Sequence, residues 1–352
     1  MPASPALEKL WPRPSSPRAV VFLGAGGIVR NAHVPAYRSA GIPVAGCFDL
    51  DRRASASVAE LTSSRAFSSL AEAARADAIF DLAVPARATL EVLRALPDEA
   101  VVLIQKPLGE TLTEARAIVS TCREKRLTAA VNFQLRFSPN MLAVRDALAR
   151  GLIGDVVDVE VRVNTYTPWQ LWPFLEGLPR HEVLYHSIHY LDVIRSLLGD
   201  PTSVYCRVAR HPSLPDYGDV RSATILDYGA ERRVCLSVFH SHPYGERHAM
   251  SELKVEGTRG ALVASMGVNL GYPRGRPDTL ELCERNGDWK AIPIEGSWFP
   301  DAFAGTMSNL QRYVAGEDQV LFTRVDDAIR TMALVEACYE SSASAGTPIP
   351  EP

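Results

Sequence analysis

Lysine is nearly missing from this chain: of 37 basic residues among 352, 5 are Lys and 32 are Arg. Runs of either are absent, and the formal net charge is −4. A phosphate-tracking surface needs clustered cations, so no nucleic-acid partner is expected. Cysteine is sparse as well. Cys47, Cys122, Cys206, Cys235, Cys283 and Cys338 lie far apart with no CxxC pair, which argues against a disulfide framework and for free thiols in a reducing cytoplasm. No stretch approaches the roughly 18 apolar residues of a membrane span. The opening MPASPALEKLWPRPSSP lacks the apolar centre of a signal peptide, so residues 1–17 read as a mobile Pro/Ser arm. What is present is an ordinary globular composition, 47% hydrophobic and 22% charged, in a chain long enough for two cores.

From Arg18 to Asn132 short apolar runs alternate with amphipathic ones, which predicts strands at 19–23, 44–49, near Phe67, and at 78–83, 100–104 and 128–132. The intervening segments read as helices, and Thr111 with Glu114 three residues on is a capping box. This rhythm predicts a doubly wound parallel sheet over 18–135. After a helix near 140–150 the texture changes. Residues 155–165, 203–208, 223–227, 233–238 and 251–255 alternate apolar and polar with no helices between several of them, and helices at 301–316 and 324–345 close the chain. An α+β domain over 136–352, built on a mostly antiparallel open sheet, is therefore expected. Such a sheet would leave an apolar face uncovered, suggesting a homodimer or homotetramer joined through it.

The first predicted strand runs into Gly24, Ala25, Gly26, Gly27, Ile28 and Val29. Glycines there allow a tight turn and let a pyrophosphate approach the N–H groups of the following helix. Val29 stands at the third glycine position of GxGxxG, which holds helix and strand further apart. Asp49 ends the second strand, where a carboxylate accepts both ribose hydroxyls of NAD and repels a 2′-phosphate. Arg52 and Arg53 keep NADP open, since guanidinium groups could hold that phosphate.

Four of the five lysines lie in polar, alternating or terminal segments. Lys106 follows Val101-Val102-Leu103-Ile104-Gln105 and precedes Pro107, at the C-terminal edge of a buried parallel strand where ligands bind. Desolvation there draws a Lys pKa from about 10.4 toward roughly 7 to 8, suiting it to proton exchange with an alcohol or carbonyl oxygen.

At this point the chain resembles the glucose-fructose oxidoreductase/inositol dehydrogenase/MocA family of NAD(P)-dependent enzymes. Gln105-Lys106-Pro107 stands where the family has Glu-Lys-Pro. The likeness extends over AHVPAY with His33 and Pro35, Ala83-Val84-Pro85, Asn132, Arg136-Phe137 with Pro139, Gly257-Thr258 with Gly260, and the last helix with Ala337, Tyr339, Glu340 and Ser341. The resemblance implies a Rossmann domain in which Ala83, Val84, Pro85, Gln105, Lys106 and Asn132 join the glycine loop in holding the cofactor. It also implies a small carbohydrate or cyclitol substrate whose reacting oxygen meets Lys106. The family's D-x-G-x-H-x-x-D reads here Tyr185-His186-Ser187-Ile188-His189-Tyr190-Leu191-Asp192: His189 and Asp192 match, Tyr185 and Ser187 depart, and Thr89 replaces a frequent His.

On a helical wheel Tyr185, His189 and Asp192 fall within roughly 60° of one another beside an apolar face. Three readings stand for this edge. A metal site would use His181, Glu182, His186 and His189, but H-E-x-x-x-H lacks the i, i+4 pair of a zinc helix. A structural one has the polar groups paired at a domain junction. The catalytic one makes His189 the base in oxidation, with Tyr185, its pKa lowered beside Lys106, as the alternative proton carrier. Arg136, Tyr166, Trp169, Arg180, His186 and Asp192 are the candidate substrate contacts, and HSHPYGERH, with His240, His242 and His248, carries no assigned chemistry. The expected activity is hydride transfer between nicotinamide and a secondary alcohol or ketone of a sugar, glycoside or cyclitol. The rivals are a cofactor-binding regulator and redox-neutral chemistry such as glycosidic cleavage.

Overall fold

The structure, a computed structural model, is described over residues 6–272, 275–285 and 287–351. Six strands, β1 Val20–Leu23, β2 Val44–Phe48, β3 Arg65–Ala66, β4 Ile79–Leu82, β5 Val101–Ile104 and β6 Thr128–Val131, form a wholly parallel sheet in the order β3-β2-β1-β4-β5-β6. β1, β4 and β5 are buried on both faces, which is why they read as continuous apolar runs rather than alternating ones. The exception is Asp81 in the middle of β4, fully buried. Helices α1 Val34–Ala40, α2 Arg52–Thr62, α3 Leu70–Ala73, α4 Thr89–Ala95 and α5 Leu112–Glu124 make the crossovers. Thr111 caps α5 by accepting from the Glu114 N–H, as its sequence predicts.

After α6, Pro139–Ala149, comes β7, Val156–Asn164, and beyond it α7, Ile188–Leu198. The remaining strands are β8 Ser203–Ala209, β9 Arg221–Asp227, β10 Arg233–Phe239, β11 Met250–Gly257, β12 Gly260–Ser265, β13 Thr279–Glu284 and β14 Lys290–Ala291. With β7 they build an eight-stranded sheet, antiparallel except where β7 meets β10. The sequence reading did not assign β12, β13 or β14. One face carries Val159, Val161, Val163, Leu253 and Val255, all buried under the helices. The other is not the apolar face expected: at its centre Glu252 stands opposite Arg162, Lys254 opposite Glu160, and Arg233 opposite Asp158. Alternation put the charges outside, where Arg233 bridges Asp158 across the strands and Lys254 bridges Glu256 on its own strand. Tyr205 and Ile225, both exposed and paired near one edge of the sheet, form an apolar patch.

The last two helices return to the first domain. α8, Ala302–Val314, packs Phe303, Met307 and Leu310 into the same core as Val20, Phe22 and Leu103. α9, Val325–Ala343, covers β8, where Ser341 and Ser342 accept from the amides of Cys206 and Val208. The N-terminal arm is corrected too. Residues 1–5 lie outside the described residues, but Leu7 is buried and Trp11 sits edge-on between Phe137 and Phe322, each 5.2 Å away, with its indole N–H on Asp318. The apolar side chains of this short stretch anchor it despite its proline content.

Candidate active site

The C-terminal ends of β1, β4, β5 and β6 lie along one sheet edge. β1 ends at Gly24, with φ +107°, and a Cβ there would stand 2.3 Å from the Ala83 carbonyl oxygen beyond β4. Glycine is thus required for two strand ends to touch. Gly26 differs: a Cβ there would meet nothing within 4 Å. That open ground lies above the loop where a pyrophosphate would rest against N–H groups. Asp49 accepts from the amide of Ala25 at 2.7 Å and from that of Asp51 at 2.8 Å, fixing the loop to the end of β2. Instead of passing directly into an α-helix, the chain makes one wide π turn, Val29–His33, before α1. Arg52 is exposed at the start of α2. Asn132, fully buried past β6, has neither its amide nitrogen nor its oxygen paired among the described residues. Open space over Gly26 and an unpaired Asn132 fit a bound dinucleotide.

Lys106 follows β5, and its Nζ donates to the backbone carbonyl of Tyr185 at 2.6 Å. Burial lowers its pKa to about 8. Beneath it Gln105 turns inward: its amide meets Nε2 of His33 at 2.6 Å, His33 Nδ1 meets Asp81 at 2.7 Å, and the Tyr37 hydroxyl donates to the same carboxylate oxygen at 2.5 Å. An Nδ1–H tautomer lets His33 donate to Asp81 Oδ2 and leaves Nε2 to accept from the amide, while Asp81 Oδ1 is buried without a partner among the described residues. Gln in place of the family's Glu supplies the donor that this nitrogen needs.

Lys106, His189, His186, Tyr185 and Tyr166 line one cavity of about 170 Å³, which Ile28 of the glycine loop also borders. His189 and His186 are held neutral. Burial first, then surrounding positive and imidazole groups, among them Lys106, push both well below 6.5. Tyr185 runs against expectation. Its hydroxyl faces Glu110 at 3.4 Å, and burial followed by that carboxylate raises its pKa. Lys106 reaches its carbonyl instead of its phenol because residues 183–187 form a π turn ahead of α7.

Four expected substrate contacts are used elsewhere. Arg136 and Asp192 bind each other in a buried fork with distances of 2.6 and 2.5 Å, extended by Thr331 and Asp327. Arg180 makes a two-point bridge to Glu336 of α9 and lies over the Tyr339 ring. Trp169 is buried among His181, His186, Tyr217 and His240. Glu182, also buried, accepts from Ser187 and is raised to about 8 by desolvation. The sequence reading missed Gln134, Asn269, Tyr272, Trp298, Phe299 and Phe303 in the cavity wall. Aromatic residues at 298, 299 and 303, flanking a proline, were the one signal for that side.

The fold and this sheet-edge site define a two-domain dinucleotide-binding protein. Residues 18–133 match the NAD-binding Rossmann fold of an oxidoreductase family, and residues 145–350 match that family's C-terminal alpha/beta domain. The chain belongs to the glucose-fructose oxidoreductase/inositol dehydrogenase/MocA family. It is 28% identical to a D-apiose dehydrogenase of Paraburkholderia graminis, a match covering 68% of this chain and 64% of that protein. It is 24% identical to an inositol 2-dehydrogenase of Rhizobium meliloti, covering 69% and 71%. The fold is shared with an oxidoreductase from Agrobacterium radiobacter crystallised with NAD+, L-tartaric acid and magnesium, with a TM-score of 0.76, 21% identity and coverage of 93% of this chain and 97% of that one.

Proposed function

We propose that this chain is an NAD-dependent oxidoreductase that moves hydride between nicotinamide and a secondary alcohol or ketone carbon of a sugar or cyclitol. The observation that carries the reading is the meeting of Lys106 and His189 in one cavity bordered by the glycine loop. The relatives named as D-apiose dehydrogenase, inositol 2-dehydrogenase and 1,5-anhydro-D-fructose reductase support the substrate class. NAD, when bound, supplies the hydride acceptor. The Lys106 ammonium donates to the reacting oxygen and stabilises the charge that grows there as the proton leaves. His189, neutral at working pH, takes the hydroxyl proton. Tyr185 stays protonated on Glu110 and carries no proton step. Asp49 favours NAD over NADP, and tighter binding of NADPH than NADH would reject that assignment.

The test is absorbance at 340 nm with NAD and a panel of D-apiose, myo-inositol and scyllo-inositol, and with NADH and 1,5-anhydro-D-fructose. NADH is expected to form or disappear, and Lys106→Ala to lose roughly 10²–10⁴-fold in kcat while still binding NADH. No turnover of any member in either direction, with cofactor bound, would sink the reading.

Six free cysteines, four of them buried, support a cytoplasmic setting, and no described helix is long and apolar enough to cross a membrane. The charge-paired outer sheet with its Tyr205–Ile225 edge supports a homodimer or homotetramer joined there. Light scattering on Tyr205→Glu checks it by loss of the larger species.

A further inference from the structure

The cavity beside Lys106, about 170 Å³, falls below the roughly 300–1,000 Å³ usual for small-molecule sites. A second cavity of about 410 Å³ adjoins it, and the two share Tyr166, Asn269 and Tyr272 as common wall. The shared wall is built. Tyr166 bridges to Ser241 where the extended chain leaves β7, and it remains 59% exposed. Asn269 donates to the hydroxyl of Tyr190, next to His189, and to Ser251, which leaves its carbonyl oxygen without a donor among the described residues. Tyr272 stands 5.0 Å from Trp172, ring centre to ring centre.

We propose that the two cavities form one substrate trough and that the physiological substrate is a glycoside of at least two rings. The inference rests on the oxidoreductase reading above. The reacting ring sits beside Lys106 and His189, and a second sugar ring occupies the gallery between Tyr166 and Arg276. The gallery's chemistry suits a neutral, hydroxyl-rich ring. Leu270 and Ala249 supply apolar wall, and Tyr166 an aromatic face for the C–H side of a sugar. The buried Nε2 of His242, unpaired among the described residues, and the Glu246–Arg276 pair at 2.5 Å supply polar partners. Arg276, the one arginine among the described lining residues, is already matched by Glu246.

The experiment measures kcat/KM with NAD for disaccharides of gluco, galacto and xylo configuration, each against its methyl monosaccharide, with UDP-glucose alongside. At least one disaccharide is expected to exceed its monosaccharide by about tenfold or more. Ala249→Trp, which fills the gallery, and Glu246→Ala, which strips a polar partner from its exposed rim, are each expected to bring that ratio toward one, with melting temperature checking the fold. Equal constants for the pairs, free monosaccharides or cyclitols as the best substrates, or preference for UDP-glucose would overturn the trough while leaving the oxidoreductase reading intact. No turnover of these saccharides or of the sugar and cyclitol panel above, with NADH still bound, would remove both.

Discussion

The amide of Gln105 lies 2.6 Å from Nε2 of His33, and through that ring it is joined to Asp81 in the centre of the parallel sheet. The residue before the site lysine is thereby tied to a buried network instead of the substrate space. Gln105→Leu leaves an imidazole acceptor buried and unpaired, at a cost of about 1–3 kcal/mol. Urea denaturation is expected to register that loss, with kcat reduced as Lys106 loses its support. Gln105→Asn, too short to reach His33, should behave the same way.

Two glycines of one loop should respond differently to alanine. Gly24→Ala forces a Cβ against the Ala83 carbonyl from a φ of +107°, so a large drop in melting temperature or loss of folded protein is expected. Gly26→Ala meets no protein atom and should melt like the parent. Its defect should appear in NADH fluorescence titration, as affinity weakened about tenfold or more, roughly 1.4 kcal/mol.

Breaking the Arg136–Asp192 fork tests the reassignment of both residues. Arg136→Met leaves the Asp192 carboxylate buried without its cation, expected to cost about 3–5 kcal/mol in chemical denaturation. Arg136→Met with Asp192→Leu should recover much of that loss. A rise in KM with unchanged stability would restore the substrate-binding role.

The pH profile follows from Lys106. Burial lowers its pKa to about 8, so the ammonium that the proposed reaction needs is present below that pH and lost above it. His189, held well below 6.5, is already neutral through the same range. kcat/KM is expected to be level up to about pH 7, to be roughly halved near pH 8 and to fall about tenfold per pH unit beyond it. Stability moves the opposite way. Between the folded pKa near 8 and the unfolded value near 10.4 the unfolded chain binds more protons, so Lys106 makes the fold more stable as pH rises across that window. Lys106→Met should flatten both trends.

The residues that the sequence placed correctly share one property: their role depends on neighbours in the chain. β1 through β6 could be read because apolar runs and glycine turns are local, and Lys106 stood out because five apolar or amide residues precede it and Pro107 follows. Arg136, Asp192 and Arg180 were misread because an arginine looks the same whether it faces a ligand or a carboxylate more than fifty residues away. Tyr185 was misread for a related reason: the catalytic reading put its phenol near Lys106, and a π turn brings its carbonyl there instead.

The two-domain plan, the glycine loop and the place of Lys106 at the sheet edge were all legible in the chain, because strand periodicity and glycine geometry act over a few residues. Only the tertiary structure decided which histidines are kept neutral, that Gln105 serves His33, and that a second gallery adjoins the first. Those outcomes depend on burial and on partners from distant strands and loops, and both exist only once the two domains have packed together.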